Sequence, residues 1–354
     1  MENNYVIIMA GGVGSRFWPY SRKSFPKQFH DVLGIGKSLL QVTAERFKNI
    51  CKPENIYIVT NSDYYDLVKE QLPFCSDDQI LLEPVGKNTA PCIAYASYKI
   101  AQQNPNAKLV VCPSDHIILK EDTYVGILSQ ALEVLDQKDV LLTLGITPTR
   151  PDTGYGYINF EACETVSKKV VQFKEKPNLE TAKEYLADGN YVWNAGIFVW
   201  SAKKINESFK EFIPEIDKLF TSVDYYCEDE VKSIDEIYPR CPGISIDYAV
   251  LEKSNEVEVI LSDIGWSDLG TWKSLYEIQD KDTDQNVIDG HVVTYDTKDC
   301  IVKTPKDKLV VVQGLDNYII AEYDNVLMVC SKDKEQMVKT FVEDLKAKKE
   351  DSFY

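Results

Sequence analysis

Short apolar runs with little alternation recur through the first part of the chain. They are "YVIIMA" (5–10), "IYIVT" (56–60), "QILLEP" (79–84), "KLVVCPSD" (108–115) and "VLLTLGI" (140–146). Runs of this length without a polar face predict strands covered on both sides. Between them lie amphipathic stretches at 38–50, 63–71, 88–104 and 122–137 that read as helices, the third starting at Asn88 and Pro91. Strand and helix in turn predict an α/β fold, a Rossmann-like, mixed but mostly parallel sheet flanked by helices. After Gly145 the pattern loosens. "GYGYINF", "KVVQFKEKP", "NAGIFVWS" and "VEVILSDI" read as strands with more exposed or antiparallel character. Helices are expected at 179–187, 202–220, "SIDYAVLEKS" and "LGTWKSLYEI". The acidic, polar "QDKDTDQNVIDG" reads as a linker. Beyond it, short β-rich runs at about ten-residue spacing predict a small module, a short left-handed β-helix being one form it could take, closed by a helix at 334–349. The expected division is a catalytic domain over 1–280 and a C-terminal module over 285–354.

Charge narrows the classes. The 354 residues carry a net charge of −17, which argues against a general nucleic-acid binder, since such a protein needs a basic footprint. No apolar run reaches the ~18 residues of a membrane span, and the N-terminus lacks a signal-peptide pattern. Nine cysteines without a C-x-x-C pair suggest reduced thiols, so a cytoplasmic location is expected. Three scattered histidines do not suggest a histidine metal site.

Against that acidic background one basic segment stands out, "MAGGVGSRFWPYSRKSFPKQF" (9–29), directly after the first strand. Ligands of open parallel sheets bind at the carboxyl ends of strands. The dinucleotide fingerprint fails because Phe17 occupies the position of its third glycine, and no Walker spacing is present. "GIGKS" (34–38) has only the last letters of that motif and reads as a turn. What remains is a set of bare amides at Gly11, Gly12 and Gly14 with two cations, Arg16 and Lys27. These are natural partners of a polyphosphate. Arg22 and Lys23 could assist or simply face solvent.

The segment resembles the signature of the sugar nucleotidyltransferases, and its full form is similar to that of mannose-1-phosphate guanylyltransferases. "LLEPVGKNTAP", "PSDH", "GYGYI", "FKEKP", "WNAGIF", "SIDYAVLEK" and "GWSDLGTW" follow in the family's order, over roughly residues 5–272. The resemblance implies a glycosyltransferase-A-like fold and transfer of GMP from GTP to mannose 1-phosphate, giving GDP-mannose and pyrophosphate. A phosphate monoester is mostly dianionic at pH 7, so the nucleophile needs no general base. The protein's work is then positioning and charge stabilisation.

Within that reading, Arg16 meets the triphosphate and Lys27 the α-phosphate. Asp115 and Asp268, each just after a strand, share one Mg²⁺, for which Mn²⁺ could substitute; each alone could equally be a helix cap. Glu83 offers two acceptors to the guanine edge, or else sits in solvent at a strand end. Lys87, Asn88 and Thr89 add nucleotide contacts, Asn88 being equally a helix cap. Lys176 is expected on the sugar phosphate, with Glu175 and Asn194 on sugar hydroxyls and Gly154 giving close backbone approach. Strand alternation would send Glu175 and Lys176 to opposite faces unless Pro177 or a bulge re-aims one. Asp247 is a sugar-site acid or a helix N-terminal one. Lys174 and Ala195 depart from the family's usual valine and serine. His116, Trp193, Trp266 and Trp272 read as packing residues. The resemblance also suggests a dimer. Other readings are the same chemistry on another sugar or nucleotide, and a nucleotide-sugar sensor without catalysis. A dehydrogenase is disfavoured by the failed fingerprint. The length leaves no room for the isomerase domain some relatives carry, so no isomerase activity is expected.

Overall fold

A computed structural model describes residues 1–354, the side chain of Asp351 excepted. Contacts divide the chain into two compact units. The first comprises residues 1–11, 41–114 and 118–266; the second comprises 12–40, 115–117 and 267–354.

The first unit holds a nine-stranded sheet. Its strands are β1 (Asn4–Met9), β2 (Ile56–Asn61), β3 (Ile80–Glu83), β4 (Lys108–Pro113), β5 (Leu141–Ile146), β6 (Tyr157–Phe160), β7 (Lys168–Lys174), β8 (Tyr191–Ser201) and β9 (Val257–Leu261). They lie in the order β3-β2-β1-β4-β8-β5-β9-β7-β6. β1 to β4 run parallel to one another, with Ile8 opposite Ile58 and Cys112. β8 enters antiparallel to β4 and β5. Val6, Ile7 and Ile8 are fully buried, as strands covered on both faces require. The parallel block brings the carboxyl ends of β1 and β3 to one edge, so Gly11 and Glu83 are neighbours. Helix α1 (Leu39–Glu45) ends in this unit, and α2 (Tyr65–Gln71), α3 (Thr89–Gln103), α4 (Glu121–Gln137), α5 (Leu179–Asp188), α6 (Ala202–Phe212), α7 (Pro214–Thr221) and α8 (Glu230–Ile237) lie within it. The single helix expected over 202–220 is two. Pro214 has no N–H to continue α6 and instead opens α7. "SIDYAVLEKS" forms only a five-residue π turn, Asp247–Leu251.

The second unit holds β10 (Val287–Asp289), β11 (His291–Tyr295), β12 (Ile301–Lys303), β13 (Leu309–Gln313), β14 (Tyr318–Tyr323) and β15 (Val326–Ser331), with helices α9 (Trp272–Ile278) and α10 (Met337–Ala347). β10, β12 and β14 stack in parallel, and β13 stacks in parallel on β11. The chain therefore coils between two sheets, and Cys300, Val302, Val312 and Ile320 form a core there. β14 and β15 form an antiparallel hairpin. Residues 12–40 join this unit through apolar packing. Phe17 stacks on Trp272 with ring centroids 4.4 Å apart and planes at 10°. Both belong to one buried cluster with Trp18, Ile301, Ile319, Met328, Val338 and Val342.

Candidate active site

In the second unit Lys27 is the centre of the charged cluster. It is buried, at 3% exposure. An ammonium has three N–H donors, and all three find protein acceptors. Nζ lies 2.7 Å from Asp115 Oδ2 and donates to Asp268 O at 3.0 Å and Leu269 O at 2.9 Å. The Asp115 carboxylate and the backbone carbonyl of Asp268, 153 positions apart in sequence, thus share one cation. Leu269 holds φ at +45°, a left-handed conformation costly for a side chain with a Cβ. That turn aims successive carbonyls at Nζ. Asp268 Oδ1 accepts from Gly270 N at 3.0 Å. Burial raises the Asp115 carboxyl, but Lys27 and His116 outweigh it and hold the carboxyl below its ordinary range. The Lys27 donors are committed to the protein, so its charge, and not a free N–H, is what it can offer a phosphate.

Arg16 is exposed in a 3-10 turn, Ser15–Phe17, entered through Gly14 at φ +71°. Its guanidinium makes no hydrogen bond or ion pair among the described residues, as suits a ligand-facing cation. Gly12 is exposed, with open space where a Cβ would stand. A Cβ on Gly14 would come within 3.1 Å of Lys27 Cβ. Lys23 is exposed, whereas Arg22 is buried and turned toward Tyr323–Asn325. The amides of "GIGKS" are taken by a carboxylate, with Ile35 N and Gly36 N donating to Asp31 at 3.0 and 2.7 Å. That segment is a capped turn and not a phosphate loop.

In the first unit Glu83 ends β3, but it is not the solvated strand-end acid considered above. It is 6% exposed, and the Tyr238 hydroxyl donates to Oε1. A Cβ on Gly11 would stand 2.6 Å from Oε2, so only glycine fits beside this carboxyl. Oε1 thus already accepts one hydrogen bond within the protein. Burial pushes the Glu83 carboxyl up to about 7, and the tyrosine hydrogen bond opposes this. A raised carboxyl is most stabilising when protonated, below its unfolded value of 4.5, and that stability is lost as pH rises through about 7. Glu83→Gln should therefore gain stability relative to wild type as pH goes from about 4.5 to 7, by at most about 3 kcal/mol. Urea unfolding of both proteins across this range checks it; a difference independent of pH would contradict it. Asn88 Oδ1 accepts from Thr89 N, and Thr89 Oγ1 accepts from Ile246 N at 2.8 Å, so both serve the start of α3. Lys87 is half-buried beside them.

The predicted sugar residues gather in the same unit. β7 stops at Lys174, which is exposed, so alternation does not govern Glu175 and Lys176. Lys176 takes φ +46°, and its ammonium pairs with the Glu175 carboxylate. Glu175 packs so closely on Gly156 that a Cβ there would clash. Asn194 Nδ2 donates to Asp247 Oδ1 at 2.9 Å, while Asn194 Oδ1 accepts from Thr143 Oγ1 and Gly196 N. Burial first, and the Glu175 charge second, push Asp247 up to about 6. Gly154 lies exposed, its N–H donating to Asp152 Oδ1 at 2.8 Å, and Gly156 is the glycine packed against Glu175. Sequence reasoning missed Gly156, Tyr238 and Glu252, whose Oε1 accepts from Glu175 N at 3.1 Å. Gly156 and Glu252 lie inside quoted motifs; Tyr238 carries no such signal.

Two carboxylates suit a hard ion such as Mg²⁺, which keeps waters and substrate oxygens as its other ligands. Among the described residues no cluster of three His, Cys, Asp or Glu exists to cage a metal alone. The chemistry fits an ion that arrives with phosphate.

Comparison with known proteins shows the family. A family model described as nucleotidyl transferase matches residues 5–285, and one described as MannoseP isomerase/GMP-like beta-helix domain matches residues 290–345. A mannose-1-phosphate guanylyltransferase of Salmonella montevideo is 39% identical over 357 residues, covering 96% of this chain and 73% of that protein. An alginate biosynthesis protein AlgA of Pseudomonas putida is 38% identical over 349 residues, covering 96% and 71%. A solved structure described as mannose-1-phosphate geranyltransferase from Thermus thermophilus superposes with a TM-score of 0.88 at 31% identity, covering 97% of this chain and 99% of that one.

Proposed function

The chain belongs to the nucleotidyl transferase family, and from that premise we propose that it transfers GMP from GTP to α-D-mannose 1-phosphate, giving GDP-mannose and pyrophosphate. The observation that carries the reading is that the Lys27 ammonium joins the Asp115 carboxylate to the backbone carbonyl of Asp268, so one buried cation gathers both acid-bearing motifs. A phosphate oxygen of the sugar phosphate attacks the α-phosphorus in line. The bond to the β-phosphate oxygen breaks, and pyrophosphate leaves with the electron pair.

Mg²⁺, or Mn²⁺ in its place, would be held by Asp115 and Asp268 and would supply positive charge to the reacting phosphates. Arg16 binds the phosphates that leave. Gly11, Gly12 and Gly14 let the backbone approach the nucleotide. Lys27 keeps the two acids together and adds positive charge. Lys87, Asn88 and Thr89 border the nucleoside, and the remaining oxygen of Glu83 makes one contact to the guanine edge. Lys176 meets the sugar phosphate, and Glu175, Asn194 and Asp247 orient the sugar hydroxyls.

The direct test is pyrophosphate release from purified protein across nucleoside triphosphates and hexose 1-phosphates. GTP with mannose 1-phosphate should give the highest kcat/KM; a clear preference for another pair would replace this reading. Glu83→Gln should lower the GTP-to-ATP ratio of kcat/KM by about tenfold, the size of one charge-assisted hydrogen bond. An unchanged ratio would place base selection elsewhere.

A further inference from the structure

The segment 12–40 carries Arg16 and Lys27, yet up to Leu39 it contains only two three-residue 3-10 turns, Ser15–Phe17 and Lys27–Phe29. Backbone of this kind does not hold its own shape. Its order comes from what it is fastened to. One fastening is conspicuous because it uses a buried guanidinium.

Arg22 is 5% exposed. Its Nε donates to Pro19 O at 3.2 Å, closing the loop on itself. Nη2 donates to Tyr323 O at 2.7 Å. Nη1 faces Asn325 Oδ1 at 3.0 Å, Asp324 Oδ2 at 3.3 Å and Ser352 O at 3.4 Å. The guanidinium carbon lies 5.5 Å from the centre of the Tyr323 ring. Tyr323, Asp324 and Asn325 form the turn between β14 and β15, so one side chain grips that hairpin by backbone, side chain and ring at once. A second tie runs in parallel, with Trp18 Nε1 donating to Phe353 O at 2.6 Å. A third leads back to the acids, with Trp272 Nε1 donating to Trp18 O at 3.1 Å from the helix that follows Asp268. Burying a guanidinium is costly unless its donors are met, and the forked geometry used here is one a lysine cannot reproduce.

We propose that Arg22 is a positioning residue of the transfer reaction. It fastens the loop bearing Arg16 and Lys27 to the hairpin turn 323–325 and the chain near Ser352, so the C-terminal β-coil sets where the phosphate-binding cations stand. The proposal rests on the transferase reading above. It gives the C-terminal part of the chain a role within the catalytic step and not merely beside it. Charged groups that act by electrostatic preorganisation must be held within a fraction of an ångström, and a loop of turns depends on such a brace.

The test uses the full chain with Arg22→Lys and, as a milder variant, Asn325→Ala, which removes one acceptor. Two readouts are taken, steady-state kinetics with each substrate varied separately and amide hydrogen exchange by peptide. Arg22→Lys is expected to lower kcat/KM for GTP by about tenfold or more and to change KM for mannose 1-phosphate less than about twofold, with Asn325→Ala intermediate. Exchange should accelerate in peptides from 12–29 and stay unchanged in β1 and β4. Three results would overturn the proposal: unaltered exchange in 12–29, acceleration spread through β1 and β4, or local acceleration with intact nucleotide kinetics. A wild-type chain inert with every substrate pair would remove the transferase reading and, with it, the catalytic role assigned to Arg22; the exchange data would still report whether the loop is fastened there.

Discussion

Asp268→Asn is expected to lower kcat by about 10²–10³-fold, the cost typical of removing one charge-stabilising group from a preorganised site, while the protein stays folded. The fold survives because the backbone of residue 268 does the structural work. Its carbonyl accepts from Lys27 at 3.0 Å, and an asparagine side-chain oxygen can still accept from Gly270 N. What disappears is the negative charge of the residue 268 side chain. Under the proposed reading that charge holds the divalent ion at the phosphates, so affinity for Mg²⁺ should weaken along with turnover. Pyrophosphate release titrated with Mg²⁺, alongside a thermal melt, checks both parts. Unchanged turnover in saturating Mg²⁺ would take Asp268 out of the chemistry.

Lys27→Met is expected to damage stability as well as activity. Methionine keeps much of the apolar stem but leaves a partly buried carboxylate and two carbonyls without their shared donor. Removing one partner of a buried ion pair costs about 3–5 kcal/mol. Asp115 retains 28% side-chain exposure, which puts the expected loss near 3 kcal/mol, toward the lower end of that range. The pH dependence has a definite sign. Lys27 holds the Asp115 carboxyl low, so its contribution is present above the unfolded value and is lost as pH falls through the folded one. The gap between wild type and variant should therefore narrow in acid. Urea unfolding at pH 7 and pH 3.5 measures it; a gap that widens in acid would contradict the pairing.

Much of the first unit could be read from the chain because burial leaves a local signature. Val6, Ile7 and Ile8 form an uninterrupted apolar run because both faces of β1 are covered. Pro214 lies inside the single helix expected over 202–220, and its missing N–H splits that helix in two. The site was legible in its residue types and its motif order, not in its hydrogen bonding. Tyr238 reaches Glu83 across 155 positions, and Arg22 reaches Tyr323 across 301. No local pattern encodes a partner at such a distance. The conflict between strand alternation and a shared role for Glu175 and Lys176 dissolves because β7 ends at Lys174, before either residue, and Lys176 turns into the left-handed region. Sequence periodicity cannot foresee a single residue leaving its strand.

The central claim is that Asp115 and Asp268 hold one divalent ion together with the triphosphate. Anomalous diffraction from crystals soaked with Mn²⁺ and GTP tests it most directly. The account predicts one manganese peak at about 2.1 Å from a carboxylate oxygen of each aspartate and from a phosphate oxygen. A manganese ion bound to the nucleotide but distant from both carboxylates would contradict it.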